Sequence, residues 1–139
     1  MSSSVSVSDL ILEQAAEAVV FVNQQGVIER WNAAASAMFG YSKDEALGQG
    51  VDLLIPERLR AAHWRGFNAA MENGKTRLGG HPTLTRGLHK SGQKLYVEMS
   101  FAVVVDGTGS PFGAVAVARD VTERVEREKA APGGTTSAS

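Results

Sequence analysis

The chain has 139 residues, of which 43% are hydrophobic and 21% charged, with a formal net charge of −1 and no cysteine. This length suits one domain with a single core, and the composition is that of an ordinary globular protein. The near-zero charge gives no electrostatic reason to expect nucleic acid or an anionic membrane as a partner. The absence of cysteine excludes disulfides, thiolate metal sites and cysteinyl flavin adducts. No apolar run approaches the ~20 residues of a membrane span and the N-terminus is unlike a signal peptide, so we expect a cytoplasmic domain.

The two ends of the chain differ in composition from its middle. Residues 1–9 and 131–139 are rich in small and polar residues, which predicts disordered tails or linkers. Between them we expect one domain over residues 10–122 and a charged exit helix over residues 123–130. The domain should open with a helix that packs on its own sheet or on a second copy of the chain, because four apolar residues recur at helical spacing. These residues are Leu10, Ile11, Ala15 and Ala18.

The middle of the chain predicts strands, then helices, then strands. Residues 17–23 and 27–32 predict a β-hairpin, after which Asn32 can begin a helix and Ser42 with Glu45 forms a capping box. Residues 93–106 alternate between apolar and polar side chains, as a half-buried strand does. The apolar face of that strand comprises Leu95, Val97, Met99, Phe101, Val103 and Val105. With a strand before it and another over residues 112–122, this order predicts an α+β fold, an antiparallel sheet with helices on one face.

The predicted helix over residues 57–72 presents a histidine on its apolar face. On a helical wheel the face comprises Leu59, Ala62, His63, Gly66, Phe67 and Ala70. A neutral imidazole in that position can bind a metal, and haem iron commonly takes a histidine as its axial ligand. A buried structural histidine with a hydrogen-bond partner explains the same pattern. Taken alone, the residue pattern favours the structural role.

Other motifs in the chain predict no catalysis. Gly74, Lys75 and Thr76 lack the upstream glycine of a phosphate-binding loop, and they end a helix where such a loop begins one. The three histidines have no closely spaced pair and no thiolate helper for zinc. Serine, aspartate and histidine form no nucleophile motif. We therefore expect that the protein is not an enzyme.

Five stretches in order resemble the PAS sensory domains, from about residue 12 to residue 129. They are "WN" with the helix after it, "GYSKDEALG", "LLIPERLR", "HKSGQKLYVEMSFAVV" and "VARDVTER", although Ser91 stands where the family has aspartate. The resemblance implies a five-stranded antiparallel sheet that holds a small ligand or cofactor and relays its state to an effector domain, which we expect outside this chain. The alternative is a ligand-free member of the family, which only dimerises or binds proteins. In either case we expect a homodimer. The relay should run through Asp120 and Thr122, which we expect to hydrogen-bond locally at the start of the exit helix.

The segment "IPERLRAAH", residues 55–63, further resembles the haem-binding oxygen sensors of the family, which carry "I-P-x-x-x-R-x-x-H". This closer resemblance implies haem as the cofactor and His63 as the proximal iron ligand, whereas the wider family resemblance leaves the ligand unassigned. One type of these sensors has a methionine as sixth iron ligand eighteen residues after the proximal histidine, and this chain has His81 at that position. Two residues further on, Thr83 replaces the arginine that stabilises bound oxygen in those sensors. His81 would face solvent if the strand face that contains Leu84 is the buried one. The expected cofactor-binding residues are His63, His81, Gly66, Phe67, Met99 and Phe101.

Overall fold

The computed structural model describes residues 6–74 and 81–130. In this part of the chain the strands are short to medium in length and lie at both ends of the domain, with most helices between them. The strands are β1 (Ala18–Asn23), β2 (Ile28–Trp31), β3 (Thr83–Leu88), β4 (Lys94–Val105) and β5 (Pro111–Asp120). The helices are α1 (Val7–Gln14), α2 (Ala33–Phe39), α3 (Lys43–Ala46), α4 (Arg60–Asn73) and α5 (Thr122–Ala130), with 3-10 turns at Val51–Leu54 and Glu57–Leu59.

The five strands form one antiparallel sheet in the order β2-β1-β5-β4-β3. The first and last strands of the chain therefore meet at its centre, where Ala18 pairs with Ala118 and Asn23 pairs with Gly113. The long strand β4 joins β5 to the edge strand β3, in which Thr83 pairs with Met99. The predicted α+β class and the five-stranded antiparallel sheet are both confirmed.

One face of the sheet forms the core of the domain. In β1 every second residue is buried. In β4, Leu95 and Val97 are buried, whereas Lys94, the first residue of the strand, is exposed. The predicted inward phase of β4 is therefore correct, although Val105 at its far end is exposed. The largest fully buried side chain is Trp31, whose ring lies 5.9 Å from that of Phe39.

Two predicted helix starts have the expected hydrogen bonds. The side chain of Asn32 accepts a hydrogen bond from Ala35 N at 2.9 Å and one from Val19 N at 3.0 Å, so it ties the start of α2 to β1. Its amide donates to the Glu17 carbonyl at 3.0 Å, which satisfies a side chain that is fully buried. At α3, Ser42 and Glu45 form the reciprocal capping box.

The N-terminal region differs from its prediction. Helix α1 begins at Val7, inside the predicted tail of residues 1–9, because Ser6 accepts a hydrogen bond from Asp9 N at 3.1 Å and caps the helix. The helix ends at Gln14, so Ala18 belongs to β1 and not to the helical stripe. Residues 1–5 and 131–139 of the predicted tails lie outside the described residues. At the other end, α5 coincides with the predicted exit helix except that it starts one residue earlier, at Thr122.

Candidate functional site

A cavity of about 330 Å³ lies between α4 and the sheet. This volume is near the lower end of the range for small-molecule sites, about 300–1,000 Å³. The helical side of its wall is mostly apolar and consists of Val51, Leu54, Ile55, Leu59, Ala62, His63 and Phe67, with Phe39 beside them. The sheet side consists of Val20, Val22, Thr83, Thr85, Arg86, Gly87, Val97, Met99, Phe101, Ala114, Ala116 and Ala118.

His63 is the ionisable side chain on the helical wall. It lies one turn from Phe67 on α4, and the two rings are stacked with their centroids 6.0 Å apart. The Trp64 ring meets the imidazole edge-on at 4.9 Å. The Nδ1 atom of His63 is buried and has no hydrogen-bond partner among the described residues. A buried nitrogen without a partner is costly, so this atom could be satisfied by a bound ligand.

The surroundings of His63 favour its neutral form. Burial lowers the pKa of the imidazole from its usual value of 6.5, and the Asp52 carboxylate opposes that change by raising it. Asp52 already accepts a hydrogen bond from Trp64 Nε1 at 2.7 Å. A neutral imidazole keeps a lone pair on one ring nitrogen and can therefore coordinate a metal.

Four of the six predicted cofactor-binding residues line the cavity, namely His63, Phe67, Met99 and Phe101. Gly66 does not: it is exposed, and a Cβ built on it would meet no atom within 4 Å. The wheel drew the stripe too wide, because the line that faces the cavity runs from Leu59, just before α4, to His63 and Phe67, each four residues from the next. Gly66 lies one turn beyond Ala62 on the neighbouring line, where the helix no longer lines the cavity.

His81 also lies away from the cavity. It is exposed and precedes β3, whose pairing with β4 begins only at Thr83. The strand face that contains Leu84 is not the buried one, since Leu84 is 57% exposed whereas Thr83, Thr85 and Gly87 line the cavity. His81 alternates with Thr83 and Thr85, but it precedes the first paired residue of β3 and does not line the cavity. The glycine pair before His81, residues 79–80, lies outside the described residues.

The predicted relay residues connect β5 to α5 and to β4. The Asp120 carboxylate accepts a hydrogen bond from Thr122 N at 2.9 Å, as expected for a local cap. The Thr122 hydroxyl makes a longer-range contact, because it accepts a hydrogen bond from Tyr96 N at 2.8 Å. Val121 N donates to the Tyr96 carbonyl at 2.9 Å. The start of the exit helix is therefore tied to the backbone of a strand that also forms the cavity wall.

The side chain of Tyr96 holds the other end of α5. Lys129 Nζ lies 4.8 Å from the centre of the Tyr96 ring and donates to its hydroxyl at 2.5 Å. From β3, the Arg86 guanidinium lies 4.4 Å from the centre of the same ring. The hydrogen bond from Lys129 lowers the pKa of Tyr96, and the charges of Arg86 and Lys129 add to that effect. Sequence reasoning missed this role, although strand alternation did place Tyr96 opposite the core face.

The sequence placed Thr83 near the bound ligand, but it did not predict that Thr85 and Arg86 also line the sheet wall, because the faces of β3 were not assigned. Across residues 6–74 and 81–130, no three histidine, cysteine, aspartate or glutamate side chains are grouped to hold a metal ion. In the same part of the chain, no helix is long and apolar enough to cross a membrane.

Comparison with known proteins agrees with the fold. The sequence pattern of the PAS domain matches residues 16–123. The oxygen sensor protein DosP of Escherichia coli is 31% identical over 93 residues, which cover 67% of this chain and 12% of DosP. The sensor protein FixL of Bradyrhizobium diazoefficiens is 27% identical over 118 residues, which cover 85% of this chain and 23% of FixL. The chain thus spans less than a quarter of the length of either relative.

A solved structure of a PAS domain from Colwellia psychrerythraea superposes with a TM-score of 0.74 at 26% sequence identity, covering 84% of this chain and 96% of that one. Sequence pattern, relatives and architecture agree over the strands and helices described above. This chain belongs to the PAS domain family, the sensory domains of signalling proteins.

Proposed function

We propose that this domain is a non-catalytic sensory input domain that binds haem in the cavity between α4 and the sheet, with His63 as the proximal iron ligand. The observation that supports this most is the buried, unpartnered Nδ1 of a neutral imidazole in the wall of a largely apolar cavity. A structural histidine, in contrast, would have a protein hydrogen-bond partner. The similarity to an oxygen sensor points the same way.

The residues present fit such a group. The apolar side chains on both walls would exclude water from a flat, mostly apolar ring system, and His63 would hold its iron from the helical side. Haem iron would supply a binding position for a diatomic gas such as oxygen. Thr83 is in the wall, where the resemblance would have placed a charged arginine, and its hydroxyl donates a hydrogen bond to the Met99 carbonyl at 3.4 Å.

The output would pass through the contacts that tie the sheet to α5. Thr83 and Met99 are paired residues of β3 and β4 in the cavity wall, and Tyr96 lies three positions from Met99 on β4. A change in these strands on ligand binding would then act on the hydrogen bond between Tyr96 and Thr122. An effector domain attached to the exit helix would receive that change.

The test is an absorption spectrum of the protein expressed with adequate haem supply. We expect a Soret band that co-purifies with the wild-type protein and is lost in His63→Ala. His89→Ala is the matched control, because His89 lies in the turn before β4 and not in the cavity wall. A wild-type protein that folds but shows no Soret band would contradict the proposal.

A second candidate function is a dimerisation module without a ligand. It is favoured by α1, on which no residue is buried and on which Val7 and Ile11 are 69% and 65% exposed. Large apolar side chains exposed on one short helix are typical of a surface that meets another protein, here a second copy of the chain. A colourless dimer that releases no small molecule on denaturation would support this function over the first.

A further inference from the structure

The cavity has a second wall, across from His63, that is formed by the sheet. Thr83, Met99 and Ala118 lie side by side in β3, β4 and β5, because Met99 pairs with Thr83 on one side and with Ala118 on the other. All three line the cavity. A planar group held by His63 from the helical side would therefore present its other face to this row of residues.

Met99 has room to move in that row. Its neighbour on β5 is an alanine, and the next inward residue of β5, Ala116, is also small. Met99 is only half-buried, whereas Val97, the preceding inward residue of β4, is completely buried. A methionine has three rotatable side-chain bonds and a polarizable sulfur, so it adapts to the space that small neighbours leave.

Met99 is also the chemically suitable donor on this wall. Haem iron in proteins takes its axial ligands from histidine, cysteine, methionine or tyrosine. Among the residues that line the cavity, His63 and Met99 are of these types, and the remaining polar side chains are Thr83, Thr85 and Arg86. The Arg86 guanidinium lies against Tyr96, and His81 stands outside the wall.

We propose that Met99 supplies the second axial ligand of the haem iron, opposite His63, in the place for which the sequence suggested His81. This inference rests on the proposed binding of haem. Histidine and methionine together raise the reduction potential of haem iron. An external ligand must then displace the Met99 thioether, so Met99 sets how tightly the domain binds its signal molecule.

The test compares Met99→Leu with the wild-type holoprotein. Leucine preserves most of the volume and apolar character but removes the sulfur. We expect the wild type to be low-spin in both oxidation states and Met99→Leu to become high-spin with a lower reduction potential. Imidazole should bind ferric Met99→Leu at least about tenfold more tightly than it binds the ferric wild type. The reason is that the Met99 thioether, which would occupy the iron in most wild-type molecules, no longer competes with imidazole.

Two variants serve as controls. Met38→Leu removes a methionine that packs against the core but does not line the cavity, and it should retain the wild-type spectrum and imidazole affinity. His81→Ala should retain them as well. Met99→Leu holoprotein with an unchanged spin state and imidazole affinity would overturn the assignment of Met99 and leave haem binding intact. A high-spin His81→Ala would assign the ligand to His81, and a wild-type protein without a Soret band would overturn this assignment together with the proposed function.

Discussion

Replacing Thr122 by valine should loosen the start of α5 from the sheet while preserving the shape of the side chain. Thr122 is 9% exposed, and its hydroxyl accepts from Tyr96 N at 2.8 Å. Tyr96 lies one residue beyond the last pair between β4 and β5, Val97 with Asp120, so the hydroxyl takes the place of a strand partner. Without it, a partly buried backbone N–H is left unpaired, which costs about 1–3 kcal/mol.

Urea unfolding of the purified domain measures this loss. The free energy of unfolding should fall by about 1–3 kcal/mol in Thr122→Val with an unchanged dependence on urea, since the surface exposed on unfolding is the same. Thr122→Ser retains the hydroxyl and is the matched control, so it should lose less stability than the valine variant. Equal stability of Thr122→Val and the wild type would show that the Tyr96 N–H is satisfied in another way, and the proposed tie between sheet and helix would be wrong.

Three further predictions concern assembly, output and pH. Removing residues 1–16 should shift the protein from dimer towards monomer in sedimentation, and an unchanged sedimentation coefficient and melting temperature would contradict a role of α1 in dimerisation. Asp120→Ala in a fusion to an effector should preserve haem binding but uncouple the effector's output from the ligand. Output that still follows the ligand in this variant would show that the signal takes another route. Burial lowers the pKa of His63 from its usual value of 6.5, so in the haem-free protein the unfolded chain binds more protons than the folded chain as the pH falls through that usual value. The stability of the haem-free protein should therefore decrease as the pH falls below about 7. His63→Phe should weaken that dependence and His81→Gln should not, and equal slopes in all three proteins would show that His63 is not the cause.

How far the sequence predicts this molecule depends on whether a signal is local. The alternation of β4 and the capping box at Ser42 are local patterns, and both appear in the structure as predicted. The helical phase of His63 was also predicted correctly, because α4 has a regular period. Gly66 was misplaced since a wheel gives the direction of a stripe but not its width, which depends on what packs against it. His81 was misplaced because the start of β3 is set by its pairing with Met99, a residue far away in the chain.

The contacts of Tyr96 show the same limit. Arg86, Thr122 and Lys129 converge on this residue from three different elements, and no short sequence pattern links them. The resemblance to the PAS family predicted a relay role for Asp120 and Thr122, because the family's motif marks the point where the last strand meets the exit helix. It did not lead to their partner on β4, which only the register of the sheet reveals.

The meeting of the first and last strands at the centre of the sheet has a consequence for how the protein is made. Ala18 pairs with Ala118, one hundred positions later in the chain, so β1 has no central partner until β5 has left the ribosome. Non-local strand pairing of this kind slows folding, since a long loop must close before its contacts form. A nascent chain that ends before residue 111 would expose two strand edges, on β1 and on β4, to pairing with other molecules. Premature termination inside β5 should therefore produce aggregation, whereas a chain that ends just after α5 already contains every strand of the sheet.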